Sequence, residues 1–226
     1  MVPENPTPIQ IGMKAVFDGQ EYLVQGYMLF SMVEEGETYY WHEFVLYGPG
    51  GSKRFLEYED DDGTDIWELM VPFDPPSPLT SSQASALSVG DPIELDRPGI
   101  EITEVNQART CVLKGLNAAD EKIGECFSYF DGELGNRQYS AEWDAETIDF
   151  FAGYRLSPQQ LGKAFGLDPA KFRISKASRA ALWVSLGAVA AILLIGILGA
   201  SGNSSQSSDG TNSVRSVRHS GFHFGK

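Results

Sequence analysis

Tyr22-Leu23-Val24-Gln25-Gly26-Tyr27-Met28-Leu29-Phe30 and Tyr39-Tyr40-Trp41-His42-Glu43-Phe44-Val45-Leu46-Tyr47 are dense in aromatic and β-branched residues. Such runs fit a pleated, half-buried strand. Glu34-Glu35-Gly36-Glu37 between them has the composition of a hairpin turn. Working outward, Asp18-Gly19 marks a tight turn between Lys14–Phe17 and Glu21–Val24. Gly48-Pro49-Gly50-Gly51 and Asp60-Asp61-Asp62-Gly63 bound a strand near Phe55, and Ile66 to Phe73 follows as another. Residues 9–156 carry almost no helical periodicity.

Strand alternation puts Tyr39 and Trp41 on one face, and Tyr40, His42 and Phe44 on the other. One face must be core. Tyr39 and Trp41 on the opposite face are then the candidate partner-binding aromatics.

The Pro- and Ser-rich run Pro72 to Ser85 separates two halves, 9–73 and 87–156, and the second reads as a diverged copy of the first. Asp18 finds its counterpart in Asp96 at a shift of 78. Further on the shift becomes 83: Phe44 matches Phe127, Arg54 matches Arg137, Glu59 falls on Glu142 and Trp67 on Phe150. The expected fold is mainly β, with two antiparallel meanders forming paired sheets or two small barrels.

Beyond them, Ser157-Pro158 starts and Gly166 closes a short helix within 157–167, with Leu161 and Phe165 one turn apart for docking on the β domain. A chain ended after Gly166 is therefore expected to be a soluble β domain. Asp168-Pro169 starts a further turn, expected to continue as helix. Ala181 to Ala200 is twenty residues without a charge, about 30 Å of helix, which matches the hydrocarbon core of a bilayer. We expect one transmembrane helix there, preceded by a basic juxtamembrane segment (168–180). Residues 1–8 and the tail 201–226 are too polar or too Pro-rich to pack and are expected to be disordered.

Charge divides the chain accordingly. Residues 1–170 hold ten Lys and Arg against thirty Asp and Glu, a formal balance of −20. That excludes nucleic acid, whose phosphates demand a basic face. It favours cationic ligands: a basic protein segment, a polyamine or a divalent metal. Lys171, Arg173, Lys176 and Arg179 form a collar with no acid among residues 171–179. They are the expected contacts with the membrane surface. The positive-inside rule places the N-terminal domain in the cytoplasm and the short tail outside a single-pass cell-membrane anchor. Met1-Val2-Pro3-Glu4 lacks the basic and apolar regions of a cleavable signal peptide. Cys111 and Cys126 are too far apart for a CxxC motif and are expected to be reduced, buried thiols.

The chemistry is sparse. The acids Glu57, Glu59, Asp60, Asp61, Asp62 and Asp65 fail the EF-hand spacing, because Gly63 would put Tyr58 at the first ligand position. His42 faces away from Glu43 on an alternating strand. His219 and His223 sit among glycines that oppose a metal-binding helix. GxSxG, P-loop and GxGxxG motifs do not occur in the sequence. The expectation is a non-catalytic protein with no cofactor, metal ligand or catalytic residue.

Ile11-Gly12-Met13, Phe17-Asp18-Gly19, Tyr22 to Gly26 and Tyr40 to Leu46 resemble the first half of domain-of-unknown-function family 4178. Gly124-Glu125-Cys126-Phe127, Tyr139, Trp143 and Gly153-Tyr154-Arg155-Leu156 are similar to its second half, the resemblance covering about residues 9–165. It implies a bacterial β fold and an accessory protein, sometimes membrane-anchored, encoded near polyamine-synthesis and phage-shock-type envelope-stress genes. It brings no catalytic residues. Three functions follow as expectations. The first is a membrane-anchored cytosolic domain that binds a partner protein or serves as an accessory module in envelope stress. The second is an acidic sensor for a polyamine or other cation, and the third is an enzyme with an unrecognised site.

Overall fold

The computed structural model describes residues 2–61, 63–116 and 122–174. The expected span Ala181 to Ala200, the collar residues Lys176 and Arg179 and the tail with His219 and His223 lie outside the described residues. Among the described residues no helix is long and apolar enough to cross a membrane.

Ten strands make up the domain. β1 (Lys14–Phe17), β2 (Gln20–Glu34), β3 (Glu37–Tyr47), β4 (Lys53–Asp61) and β5 (Thr64–Pro72) form one meander. β6 (Pro92–Glu94), β7 (Pro98–Gly115), β8 (Cys126–Leu134), β9 (Arg137–Trp143) and β10 (Ile148–Arg155) form another. Asp18 and Gly19 (φ 52° and 77°), and Glu35 and Gly36 (φ 51° and 86°), hold both central turn positions left-handed, which matches the twist of the strands they join.

The meanders do not form paired sheets or two separate barrels. They close one barrel of eight antiparallel strands, in the order β2-β3-β4-β5-β10-β9-β8-β7 and back to β2. The cause is the length of β2 and β7, at 15 and 18 residues. The first part of β2 pairs with β1 and its second part, from Gly26 to Met32, with β7. β7 likewise pairs first with β6 and then with β2. The other seam is β5 with β10. Each half thus supplies two edges that only the other half covers, and closure leaves only the short β1 and β6 as edge strands.

Glycines permit close approach at both seams. A Cβ on Gly26 would lie 1.8 Å from the Leu116 carbonyl oxygen, and one on Gly153 would lie 2.1 Å from that of Leu69.

Both faces of the wall are covered. Outside the first half, Leu29, Phe44, Leu56, Tyr58 and Trp67 pack under β1 and α2 (Pro158–Phe165). Outside the second, Ile100, Phe130, Tyr139 and Phe150 pack with Ala84 of α1 (Ser81–Ala84), a helix in the expected linker. Ion pairs repeat on this outer surface. Arg54 reaches Asp18 at 2.7 Å and lies over the Tyr22 ring, and Arg137 reaches Asp96 at 3.1 Å and lies over the Tyr139 ring.

α2 starts where its sequence says. Ser157 and Gln160 make a capping box, Pro158 occupies the first turn, and Gly166 ends it left-handed (φ 66°). The core then continues past the expected limit. The next turn is a 3-10 turn, Pro169–Phe172, interrupted at Arg173. Helix resumes at Ile174, its expected continuation lies outside the described residues, and Phe172 and Ile174 are buried against the first half.

Candidate functional site

Alternation along β3, β4, β8 and β9 decides what enters the barrel. Tyr39 and Trp41 do share a face, but that face is the lumen. Tyr39 is 6 % exposed, packed with Met32, Ala108 and Tyr129. The Trp41 ring lies 5.3 Å from that of Phe30 and 5.7 Å from that of Tyr129. The expected surface stripe therefore does not form, because the second half covers this face.

Inside, each half supplies an aromatic residue opposite a carboxylate. Trp41 of β3 pairs across strands with Glu59 of β4, and Tyr129 of β8 pairs with Glu142 of β9. Glu57, Glu68, Asp131, Ile66 and Ser140 complete the lining of a cavity of about 40 Å³. Such a volume takes about three water-sized groups. Met28, Phe30, Val45, Phe55 and Met70 fill another part of the lumen with apolar side chains.

The acids are crowded. Glu43, Glu57 and Glu68 stand directly opposite one another on three adjacent strands, and Glu43 is only 4 % exposed. Glu68 is held by Arg155, with Nε to Oε1 at 3.0 Å. The Tyr129 hydroxyl donates to Glu104. The arrangement can hold a positive charge between carboxylates and ring faces.

The other candidate residues lie elsewhere. Asp60 accepts the Gly63 N–H at 2.8 Å within the β4–β5 turn, and the Tyr58 hydroxyl donates to Asp65 at 3.1 Å. Among the described residues no three His, Cys, Asp or Glu side chains are placed to hold one metal ion. Lys171 and Arg173 are exposed beside α2. Cys111 is half-buried and Cys126 is exposed, both as free thiols, so Cys126 departs from the expected burial because it opens β8 at the barrel end.

His42 is on the outer face, 5 % exposed and hydrogen-bonded through Nδ1 to the Tyr27 hydroxyl at 2.9 Å. Burial pushes its pKa down from 6.5 to about 4. The unfolded chain therefore binds this proton first, so stability is complete above pH 6.5 and falls as pH drops toward 4. The loss attributable to His42 should be about 3 kcal/mol. Urea melts across that range should show a shallower fall for His42→Gln than for the unsubstituted protein. Parallel slopes would contradict the buried neutral imidazole.

These features define a class: a small closed antiparallel barrel with an acidic, aromatic-walled lumen. The chain belongs to the family described as domain of unknown function (DUF4178), whose model matches residues 10–158, from the start of the first meander to the first residue of α2. No curated protein and no solved structure matches the chain.

Sequence reasoning found Trp41 and paired Glu59 with Glu142, but it missed Tyr129 and Asp131. The repeat as aligned hid them: a shift of 83 sets Phe44 on Phe127, whereas the strand pairings place Trp41 and Glu43 in the positions of Tyr129 and Asp131, a shift of 88.

Proposed function

We propose that this protein is a non-catalytic, membrane-tethered accessory domain on the cytoplasmic side of the cell membrane, whose barrel takes the ammonium group of an organic cation. One observation carries the ligand reading: two aromatic–carboxylate pairs, Trp41 with Glu59 and Tyr129 with Glu142, line one cavity. Ring faces favour an alkylammonium by cation–π attraction, and the carboxylates supply charge-assisted acceptors. A cavity of about 40 Å³ fits one ammonium head and its first methylenes rather than a whole drug-sized molecule. A longer cation would leave its remaining length outside the cavity.

The tether rests on the uncharged stretch Ala181 to Ala200 and its orientation on the cations before it. This reading does not use Tyr39 and Trp41 as a partner surface, since Tyr39 is buried and the half-buried Trp41 faces the cavity.

Calorimetric titration of the detergent-purified full chain with spermidine, and separately with Ca²⁺, tests the ligand reading. Spermidine is the first probe because of the gene neighbourhood that the family resemblance implies. It should bind, and Glu59→Gln and Glu142→Gln should each weaken it about tenfold, the loss of one charge-assisted contact. Absence of spermidine heat, or binding indifferent to both substitutions, would overturn the cavity as its site.

A further inference from the structure

One corner of this acidic domain has the opposite sign. α2 packs on the 3-10 turn so closely that a Cβ on Gly162 would meet the Pro169 ring at 2.8 Å. Lys163 in the last turn of α2, Lys171 in the 3-10 turn and Arg173 after it are all exposed there. Of the cations elsewhere, four (Lys14, Arg54, Arg137 and Arg155) are held by a carboxylate, those of Glu21, Asp18, Asp96 and Glu68, and Lys53 and Lys114 lie over tyrosine rings. The acid at the corner, Asp168, accepts the Ala170 N–H at 2.9 Å as a cap.

The corner is also where the chain leaves toward its apolar stretch. Six residues separate Ile174 from Ala181, and the seven steps between them reach at most about 25 Å when fully extended. The lead cannot be lengthened from the barrel side without unburying Phe172, whose carbonyl accepts the Trp67 indole N–H at 3.3 Å.

We propose that this corner lies on anionic lipid headgroups, with Lys163 joining Lys171 and Arg173 as a membrane contact, so that the barrel meets the bilayer in one orientation. The inference rests on the membrane tether proposed above. Screening over about 8–10 Å lets cations at the surface act while the acids of the far wall contribute little. Each cation near such a surface should raise the ratio of docked to undocked domain about fivefold.

The test uses the full chain with Cys111→Ser and Cys126→Ser, and one fluorophore at Ala170→Cys or at Glu94→Cys. It is reconstituted in vesicles of phosphatidylcholine, alone or mixed with phosphatidylglycerol, containing a headgroup-attached quencher. With phosphatidylglycerol the label at position 170 should be quenched at least about threefold more than that at position 94. Lys163→Gln should lower the docked ratio about fivefold without changing the far-ultraviolet circular dichroism. Equal quenching at the two positions in a chain that resists alkaline extraction would overturn the orientation and leave the tether standing. Quenching unmoved by Lys163→Gln would remove Lys163 from the contact. Extraction of the unsubstituted chain by alkaline carbonate would overturn the tether, and this proposal with it.

Discussion

Ending the chain after Gly166 should destabilise the barrel by about 4 kcal/mol or more relative to ending it after Ser175. The shorter product loses Phe172 and Ile174, which are 0 % and 9 % exposed. Emptying a buried phenylalanine site costs about 3–5 kcal/mol. The Trp67 indole also loses its carbonyl acceptor, and the Trp67 and Phe165 rings lose contacts at 5.6 Å and 6.0 Å. Removing one partner of a buried hydrogen bond adds about 1–3 kcal/mol unless water replaces it. Denaturant midpoints of the two truncated chains, with Phe172→Ala in the longer one, would measure this. Equal midpoints would show that the segment after α2 contributes nothing to the core. The packed domain thus extends past the expected limit at Gly166, to Ile174.

Gly153→Ala is the other substitution with a large expected effect. Its added methyl would stand 2.1 Å from the Leu69 carbonyl oxygen and 2.5 Å from the Met70 sulfur, at the seam where β5 joins β10. A methionine can move, but a carbonyl within a strand ladder cannot move without opening the seam. We expect a loss of about 3 kcal/mol or more, at the upper end for overpacking. Gly36→Ala is the control. Its φ is 86° with open space around it, so the strain there should cost about 1 kcal/mol. Thermal melts that rank Gly36→Ala as the worse substitution would contradict the seam geometry.

Much of the wall was legible in the sequence because it is local. Asp18-Gly19 and Glu35-Gly36 specify their turns by conformational preference, and the aromatic runs beside them can only be strands. Ser157, Pro158 and Gly166 likewise state the limits of α2. Closure was not legible. It depends on Gly26 facing Gly115 and on Gly153 facing Met70, pairs about eighty or more residues apart that no periodicity links. The site shared that fate. Alternation reveals that Tyr39, Trp41 and Glu43 share a face, but not what lies against it. In a sandwich that face would have been solvent or core; in a closed barrel it is a lumen.

The seams also set a timetable for synthesis. Strand β2 finds part of its final pairing only in β7, about eighty residues later in the chain. At about 5–20 residues per second, the first meander waits on the order of 4–16 s with its edges unsatisfied. Pairings that distant are slow to form even once the chain is complete. During that interval a newly made first half presents two bare edges, and the nearest matching edges belong to the first half of another copy on a neighbouring ribosome. Slow translation or crowded polysomes should therefore favour mispaired dimers of first halves, a hazard created by the same seams that later close the finished barrel.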